Sequence, residues 1–538
     1  MNILLKKFHP LLRFYKNVYF WFINSIFSFF NMFRHRRSVD QPDNELLLIS
    51  AVEASAMIRR GEIKSIDLVE AYIERVLHVN GLINAMVADN FEQARMQANN
   101  IDNYLEQIDK SSEEYHSLAK RKPFLGVPFT VKDNVLVKGF LCTAGVPARR
   151  SASPCTQDAE AVRRLKEAGA VLLGITNVPE LALWWETSNT LYGCTNNPYD
   201  LRKTPGGSSG GEGALISSAG SVIGLGNDVG GSLRIPAVFN GIFGLKPGPG
   251  VVPSRGLYPE IHGGYLAQMA TAGPLCRYAK DISAFLRILA GDEVADNKLN
   301  LSIPVDFRKI RIFYMEDLNS LVCEDLHPEM RESVRKAAKY FEKKYDRSTH
   351  RLDLALAHHA AEMFVTSFDE ADYPKITESM ANFEFNVNCY TELLKSICGG
   401  NSSHTLPAII TGIHSTLPQP SKETKGFVDS KRDQLRREIA DLLGQDGILL
   451  FPAFSTTAPF NNQALFTPFN FIYNGLWNAL ALPVIAVPLG LSARDNLPVG
   501  VQIVAAPDQE RLLIAAAQDL EEGFGGWVPP RRRRRFHS

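Results

Sequence analysis

The stretch TPGGSSGGEGALISSAGSVIGLGNDVGGSLRIPAVFNGIFGLKP, from Thr204 to Pro247, decides how the rest of the chain is interpreted. Glycine recurs in it too often for an ordinary helix or strand, because glycine is favoured where φ is positive or where backbones approach closely. Ser208 and Ser232 lie inside its two tightest glycine clusters. Backbone N–H groups beside a hydroxyl suit acyl transfer, which needs a nucleophile and donors for an oxyanion. One such cluster is typical of a turn with a capping serine, whereas two close together indicate a catalytic site.

A third feature lies upstream, in the run FLGVPFTVKDN from Phe124 to Asn134. Gly126 and Pro128 open a short apolar, β-branched segment, which predicts a buried strand ending on Lys132. A buried lysine cation is costly, so its pKa tends to fall and the amine can act as a base. Considered alone, Lys132 would be expected to extend its stem to the surface. Beside two glycine-bound serines, it is a candidate base.

Three motifs in order resemble the amidase signature family: GVP with VKDN, GGSSGGEGA, and the pattern G-polar-D-apolar-GGS-apolar-R-apolar-P. The spacing of the two serines (232 − 208 = 24) fits the Ser–cis-Ser–Lys triad of that family. The resemblance covers most of the chain from about Leu46 to Val528 and is weak between about Asn297 and Asp446. The family usually has glycine where this chain has Ala481. The resemblance implies an α/β fold with one large amidase-signature domain, in which helices cover both faces of a mixed, twisted β-sheet.

The resemblance also implies roles for the site residues. Ser232 would be the nucleophile and Lys132 the base. Ser208, preceded by a cis peptide bond, would relay a proton between them and contact the substrate. The oxyanion hole would be formed by the N–H groups of Val229, Gly230, Gly231 and Ser232. Asp228 and Arg234, which flank this turn, are expected to be a structural pair.

Segments such as LGITNVPEL, SNTLYGCTNNPYDL and FNGIFGLKPGPGVVP are similar to the family members that hydrolyse fatty acid amides. This likeness implies a serine hydrolase that cleaves a fatty acyl amide to the fatty acid and an amine or ammonia. It implies no metal and no organic cofactor. An amidase of the same family that acts on another carboxamide or an ester is the nearest alternative.

Two further alternatives belong to other classes. Gly206 to Gly210 also matches G-x-S-x-G, the nucleophile elbow of α/β-hydrolases, which would make Ser208 the nucleophile. That alternative needs a downstream histidine such as His404 or His414, and it leaves Lys132 and Ser232 without a role. The other alternative is a non-catalytic, membrane-bound binding protein, which a serine-reactive fluorophosphonate would distinguish from an enzyme.

Composition excludes several classes of function. The 538 residues include 58 Lys and Arg and 58 Asp and Glu, a balance that argues against a nucleic-acid partner. Seven scattered cysteines form no CxxC pair, so neither a disulfide framework nor a zinc site is expected. The GGSSGGEG segment lacks the Gly-Lys-[Ser/Thr] ending of a phosphate-binding loop.

The first forty residues differ from the rest. Asn17 to Phe33 carries no charge, is dense in aromatic residues and is flanked by basic residues. Its length is at the lower limit for a spanning helix, which needs about 17–25 residues. A cleaved signal peptide would need small residues before the cleavage site, which are missing here. We therefore predict a retained membrane anchor at 1–40, either single-pass or interfacial.

We expect the amidase domain to occupy 41–530 and a basic tail 531–538. The anchor places the protein on a membrane, with an endomembrane or a lipid-droplet surface as candidates. The expected partners are a fatty acyl amide and membrane lipids, without nucleic acid, and a homodimer is left open.

Hydrophobic periodicity predicts alternating helices and strands at both ends of this domain. Helices are expected after Ser50 and Ser65, from Phe91 to Gln107 and from Gln509 to Leu520. Core strands are expected at Gly447–Pro452, Val484–Pro488 and Val499–Val504. The serine- and charge-rich segment Lys110–Lys122 is predicted to be a loop, and long charged helices are predicted between Asn300 and Asp446.

Overall fold

The computed structural model describes residues 3–261, 263–368, 375–418 and 420–530, so the predicted basic tail at 531–538 lies outside the described residues. The helices are α1 (Ile3–Met32), α2 (Ala51–Arg60), α3 (Ser65–Ile83), α4 (Phe91–Gln107), α5 (Glu113–Arg121), α6 (Glu160–Glu167), α7 (Gly210–Ser217), α8 (Arg234–Phe239), α9 (Leu266–Met269), α10 (Lys280–Ala290), α11 (Pro328–Tyr345), α12 (Ala360–Phe368), α13 (Ile376–Ser379), α14 (Cys389–Ile397), α15 (Leu406–Thr416), α16 (Lys422–Leu443), α17 (Ile472–Ala479) and α18 (Glu510–Phe524). The strands are β1 (Met86–Asp89), β2 (Pro128–Lys132), β3 (Val171–Thr176), β4 (Ser188–Asn189), β5 (Gly193–Cys194), β6 (Ile223–Asp228), β7 (Phe243–Lys246), β8 (Thr271–Cys276), β9 (Arg311–Tyr314), β10 (Thr349–Arg351), β11 (Gly447–Pro452), β12 (Val484–Leu491) and β13 (Pro498–Ala505).

One mixed sheet organises the molecule. Its eleven strands run in the order β1-β3-β2-β6-β8-β7-β12-β13-β11-β9-β10. Neighbours β3, β2 and β6 are parallel, as are β11, β9 and β10, while β6–β8, β7–β12 and β12–β13 are antiparallel. Strands β2, β3, β6 and β11 are buried along their whole length, which explains their nearly continuous apolar sequences. The predicted α/β class with a mixed central sheet is confirmed.

Helices pack against this sheet through buried apolar faces. Helix α7 contacts β6 and β2, α8 contacts β7 and β12, α11 contacts β9, β11 and β13, and α18 contacts β12 and β13. Their buried side chains belong to one continuous hydrophobic cluster with the strands. The glycine-rich stretch thus forms the centre of the fold, because it supplies α7, β6, α8 and β7 in succession.

Local capping chemistry explains where the first helices begin. The Ser50 side chain accepts a hydrogen bond from Glu53 N and so caps α2, while Gly61 ends that helix with φ +75°. Helix α3 begins at Ser65, as predicted, and its first two N–H groups donate to the Asp102 carboxylate on α4.

The prediction of a loop at Lys110–Lys122 is wrong, because α5 occupies most of that segment. Ser112 caps the helix by accepting from Tyr115 N. Glu113 and Glu114 lie in the first turn and Lys120 and Arg121 in the last, an arrangement that the helix dipole favours. Leu118 anchors the helix in the protein, with none of its surface exposed.

The N-terminal segment forms α1, a long helix with Pro10 inside it. One face of α1 lies on the domain, where Phe20 and Ile23 are buried and Asn24 Nδ2 donates to Glu324 Oε1 at 2.6 Å. Its opposite face exposes large aromatic side chains, including Phe22 and Phe29. Within the part of the chain that the structure describes, no helix combines the length and the hydropathy needed to cross a bilayer.

Candidate active site

The candidate base lies where two parallel strands end side by side. Lys132 is the last residue of β2, and β2 pairs in parallel with β6, placing Val131 beside Leu225. The Lys132 side chain has no exposed surface. Its Nζ lies 2.7 Å from Ser208 Oγ and 2.6 Å from Asn227 Oδ1. The sequence-predicted strand and the position of Lys132 at its end are both confirmed.

Ser208 lies in the turn that leads into α7. The Gly207–Ser208 peptide bond is cis, in accord with the resemblance. Gly207 is required by close backbone approach, since a Cβ there would lie 2.6 Å from the carbonyl oxygen of Trp184. Ser209 N donates to Ser232 O at 3.2 Å and so ties this turn to the second glycine turn.

Ser232 lies in the turn between β6 and α8. Gly231 has φ +122°, and a Cβ there would lie 2.6 Å from Asn474 Cβ, so only glycine fits this backbone. Its N–H donates to Asp228 Oδ1 at 2.6 Å. The other predicted oxyanion donors, the N–H groups of Val229, Gly230 and Ser232, belong to the same turn.

Asp228 and Arg234 form the buried pair that the sequence indicated. Arg234 Nε donates to Asp228 Oδ2 at 3.0 Å, and both side chains are fully buried. Burial acts against the charged carboxylate, but Arg234 outweighs it and holds the pKa of Asp228 below its usual range. Asp228 also accepts from the N–H groups of Gly231 and Leu233, so this ion pair fixes the shape of the Ser232 turn.

The environment of Lys132 favours the neutral amine. Burial lowers the pKa of Lys132 to about 7, against the opposing effects of the Asp228 and Glu212 carboxylates. Burial also raises the pKa of Glu212 to about 8, although Thr130 and Thr176 donate hydrogen bonds to it. A lysine with a pKa near neutrality can accept a proton at physiological pH.

Ser208 and Ser232 both line a cavity of about 40 Å³. Its wall is otherwise apolar for the most part and includes Leu183, Leu257 and Phe368. A second cavity of about 230 Å³ lies nearby, between the residues following β3 and the start of α15, and Leu183 lines both cavities. The arrangement provides two hydroxyls, a buried amine and a turn rich in N–H groups beside an apolar wall.

Sequence reasoning did not single out three polar neighbours of this cluster. Asn227 and Asn134 line the same cavity as the serines, and the amide of Asn227 contacts Lys132 directly. Glu212 is fully buried beneath them on α7. All three residues could have been found from their positions inside the motifs of this sequence. Asn134 ends the VKDN motif, Asn227 occupies the polar position before Asp228, and Glu212 follows the double glycine of GGEG.

The histidines required by the nucleophile-elbow alternative lie elsewhere. His404 Nδ1 is 2.6 Å from Glu180 Oε1, at the loop before α15, and His414 is exposed on α15. Ser208 is paired with Lys132 instead. Among the described residues, no group of three or more His, Cys, Asp and Glu side chains is placed to hold a metal ion.

Known proteins are similar to this chain in sequence and in fold. The family model described as Amidase matches residues 67–514. Fatty-acid amide hydrolase 2 of Homo sapiens is 39% identical over 500 residues, covering 92% of each chain. Fatty-acid amide hydrolase 2-A of Danio rerio is 40% identical over 520 residues, covering 94% of this chain and 95% of its own.

A solved structure of a fatty acid amide hydrolase superposes with a TM-score of 0.69 and covers 90% of this chain and 86% of its own. At 20% identity, that likeness concerns the fold alone. The family match excludes the α/β-hydrolase alternative. This chain therefore belongs to the amidase signature family and is an amide-hydrolysing enzyme.

Proposed function

We propose that Ser232, Ser208 and Lys132 are the catalytic triad of a fatty acid amide hydrolase. The observation that carries this proposal is the contact of 2.7 Å between Lys132 Nζ and Ser208 Oγ, at a cavity that Ser232 also lines. A neutral, buried lysine beside a hydroxyl is a competent general base. This lysine is fully buried, with a pKa lowered to about 7.

In the first half of the reaction, Ser232 Oγ attacks the amide carbonyl carbon. Its proton passes to Ser208, whose own proton passes to Lys132 Nζ. The tetrahedral intermediate then collapses, and the same relay delivers the proton from Lys132 to the leaving nitrogen, which departs as an amine or ammonia. In the second half, a water molecule attacks the acyl-Ser232 ester and transfers its proton along the same path. The fatty acid is released and Ser232 regains its hydroxyl.

The N–H groups of Val229, Gly230 and Ser232 are the proposed donors to the oxyanion. The fourth, that of Gly231, is held by Asp228 in this structure. We assign Gly231 a conformational role, because its positive φ gives the turn its shape. Loss of one oxyanion donor typically costs about 10²–10³-fold in rate, so the geometry of this turn is as important as the nucleophile.

The proposed substrate class is long-chain acyl amides. The names of the relatives support it, and so does the apolar wall of the cavity beside the serines. A long acyl chain exceeds a cavity of about 40 Å³, and Leu183 also lines the second cavity of about 230 Å³. We propose that the acyl chain extends past Leu183 into that space.

We also propose that the enzyme works at a membrane surface, with α1 as an interfacial anchor. The support is an unusual distribution of side chains: the polar Lys16 and Asn24 of α1 bind the domain, while aromatic side chains face outward. Lys16 Nζ donates to Asp325 Oδ1 at 2.6 Å. An outward aromatic face is suited to the boundary between headgroups and acyl chains. Endomembranes and lipid-droplet surfaces both offer such a boundary.

The test is hydrolysis of a long-chain fatty acyl primary amide and a short-chain amide by the wild type and four variants, Ser232→Ala, Ser208→Ala, Lys132→Ala and Ser111→Ala. We expect the wild type to prefer the long chain. Ser232→Ala should reduce the rate to background, and Lys132→Ala should reduce it by about 10²–10⁴-fold, the usual contribution of a general base. Ser111→Ala, which removes an exposed serine hydroxyl on the loop before α5, is the control and should keep wild-type activity.

Two outcomes would contradict different parts of the proposal. Full activity of Ser232→Ala together with inactive Ser208→Ala would refute the assignment of the nucleophile. A wild type that cleaves only the short amide would refute the substrate class and leave the triad standing.

A further inference from the structure

The amide side chain of Asn227, on β6, is the polar group closest to the proposed base. Its Oδ1 lies 2.6 Å from Lys132 Nζ, and its backbone carbonyl lies 3.5 Å from the same atom. Asn227 is almost fully buried, with 5% of its surface exposed. Lys132 therefore has two contacts from Asn227 and one from Ser208.

A chain of hydrogen bonds fixes which end of the Asn227 amide faces Lys132. The carbonyl oxygen of Tyr258 can only accept, so Asn134 presents its Nδ2 to it, at 3.0 Å. Asn134 Oδ1 then accepts from Asn227 Nδ2 at 2.7 Å. The remaining atom of the Asn227 amide, its Oδ1, is thereby directed at Lys132.

This orientation has a consequence for proton transfer. A neutral lysine amine carries two N–H bonds and one lone pair, and only the lone pair can accept a proton. Both oxygen atoms of Asn227 can only accept, so each takes an N–H and neither competes for the lone pair. The third contact of the amine, Ser208 Oγ, then faces the lone pair.

We propose that Asn227, held by Asn134, is a positioning residue that aims the lone pair of Lys132 at the Ser208 hydroxyl. This inference rests on the proposed role of Lys132 as the base and adds to it the group that orients the amine. Asn227 does not need to touch the substrate for this role.

The titratable groups that face Lys132 come from two other positions. Glu212 approaches from α7 and accepts hydrogen bonds from Thr130 and Thr176, and Asp228 lies next to Asn227 on β6 and is paired with Arg234. Asp133, which follows Lys132 in the chain, accepts from Thr143 instead. Asn227 is the neutral acceptor in this set, so a change of its charge should act directly on the amine.

The test compares the pH dependence of kcat in Asn227→Asp and Asn227→Leu with that of the wild type. Asn227→Asp keeps the shape of the side chain but adds a negative charge, which favours the ammonium form of Lys132. The rising limb of the pH profile, where kcat increases as Lys132 loses its proton, should therefore move to higher pH by about one unit or more. Asn227→Leu removes an acceptor that stabilises the ammonium form of Lys132, so the rising limb should move to lower pH. Because the lone pair is then no longer directed, the plateau in kcat of Asn227→Leu should fall by about 10–100-fold, less than the full contribution of about 10²–10⁴-fold that a general base makes. KM should change little in both variants.

Asn99→Asp and Asn99→Leu, on the exposed face of α4, are the matched controls and should leave the limb in place. Limbs that stay at the wild-type position in both Asn227 variants, or that move in the same direction, would overturn the inference. If Asn227→Leu does not fold, the isosteric Asn227→Asp still decides, since an unchanged limb in that variant alone is incompatible with a contact to the base.

Lys132→Ala separates this inference from the proposed function. A rising limb that persists in the residual activity of Lys132→Ala would show that Lys132 is not the titrating base, and both proposals would fail. A limb lost in Lys132→Ala but unmoved in the Asn227 variants would leave the triad intact and refute only the positioning role.

Discussion

Lys132 combines complete burial with the three polar contacts that a neutral amine can satisfy. Its place at the end of a strand was predictable from the apolar run before it, and the two serines were predictable from their glycine clusters. Asn227 and Asn134 were not, because asparagine is common in turns and no spacing marks it as a neighbour of a lysine. Their role depends on β2 and β6 being adjacent in the sheet, which only the tertiary structure determines.

The pKa of Lys132 predicts the pH dependence of the reaction. The amine is the active form, and it dominates above its pKa, which burial lowers to about 7. We therefore expect kcat/KM for a neutral amide to rise about tenfold per pH unit below pH 7 and to level off above it. Initial rates from pH 5.5 to 9 check this, and a profile that is flat or falls across this range would contradict the assignment.

At the scale of elements, most helices and strands near the site follow from local sequence, whereas two kinds of element do not. Helix α5 has a loop-like composition, and only its cap at Ser112 and its buried Leu118 distinguish it. Strands β9 and β10 are short and lie at one edge of the sheet, where β9 pairs with β11 and β10 pairs with β9. Pairing between distant segments leaves little trace in a short sequence window.

Ala481 shows how one backbone position departs from the family pattern. Its φ is +52°, in the left-handed region, where alanine costs about 1–2 kcal/mol and glycine costs little. A glycine, which the resemblance implies at this position, would avoid that cost. The residue follows the end of α17, just before β12.

We predict that Ala481→Gly lowers the free energy of unfolding by about 1–2 kcal/mol less than Ala479→Gly does. Both residues are fully buried and both variants lose one methyl group, but Ala479, the last residue of α17, has a negative φ, so glycine relieves no backbone strain there. Denaturant unfolding of the two variants measures this difference. Equal destabilisation would mean that the positive φ at Ala481 carries no strain.

At the scale of the whole molecule, helix α1 packs on the catalytic domain, although it lies far from the active-site residues in the sequence. Gln463 Nε2 donates to Asn24 Oδ1, Tyr19 donates to the Phe466 carbonyl, and Arg202 donates to the carbonyls of Asn31 and Arg34 near the end of the helix. The sequence indicated an apolar, membrane-directed segment. It did not indicate that one face of the segment packs on the domain, because its binding partners lie hundreds of residues away.

The interfacial anchor predicts a specific defect. Phe22→Ser/Phe29→Ser changes two exposed aromatic side chains on the outward face of α1, with 54% and 57% of their surface exposed. We expect this variant to bind phosphatidylcholine vesicles at least tenfold more weakly in a flotation assay, because two large apolar side chains are lost from the contact. Hydrolysis of a soluble short-chain amide should stay at the wild-type rate.

The control is Leu77→Ser/Met96→Ser, which removes two apolar side chains from α3 and α4 that are at least as exposed as Phe22 and Phe29. It should float with vesicles as the wild type does. Equal loss of binding in both double variants, or no loss in either, would rule out α1 as the anchor.

The most direct test of Ser232 as the nucleophile is to locate the covalent adduct that forms when the enzyme reacts with a long-chain fluorophosphonate. Proteolysis and mass spectrometry then identify the modified serine. We predict a single adduct on Ser232, formed slowly in Lys132→Ala and absent in Ser232→Ala. An adduct on Ser208, or labelling that survives Ser232→Ala, would contradict this prediction.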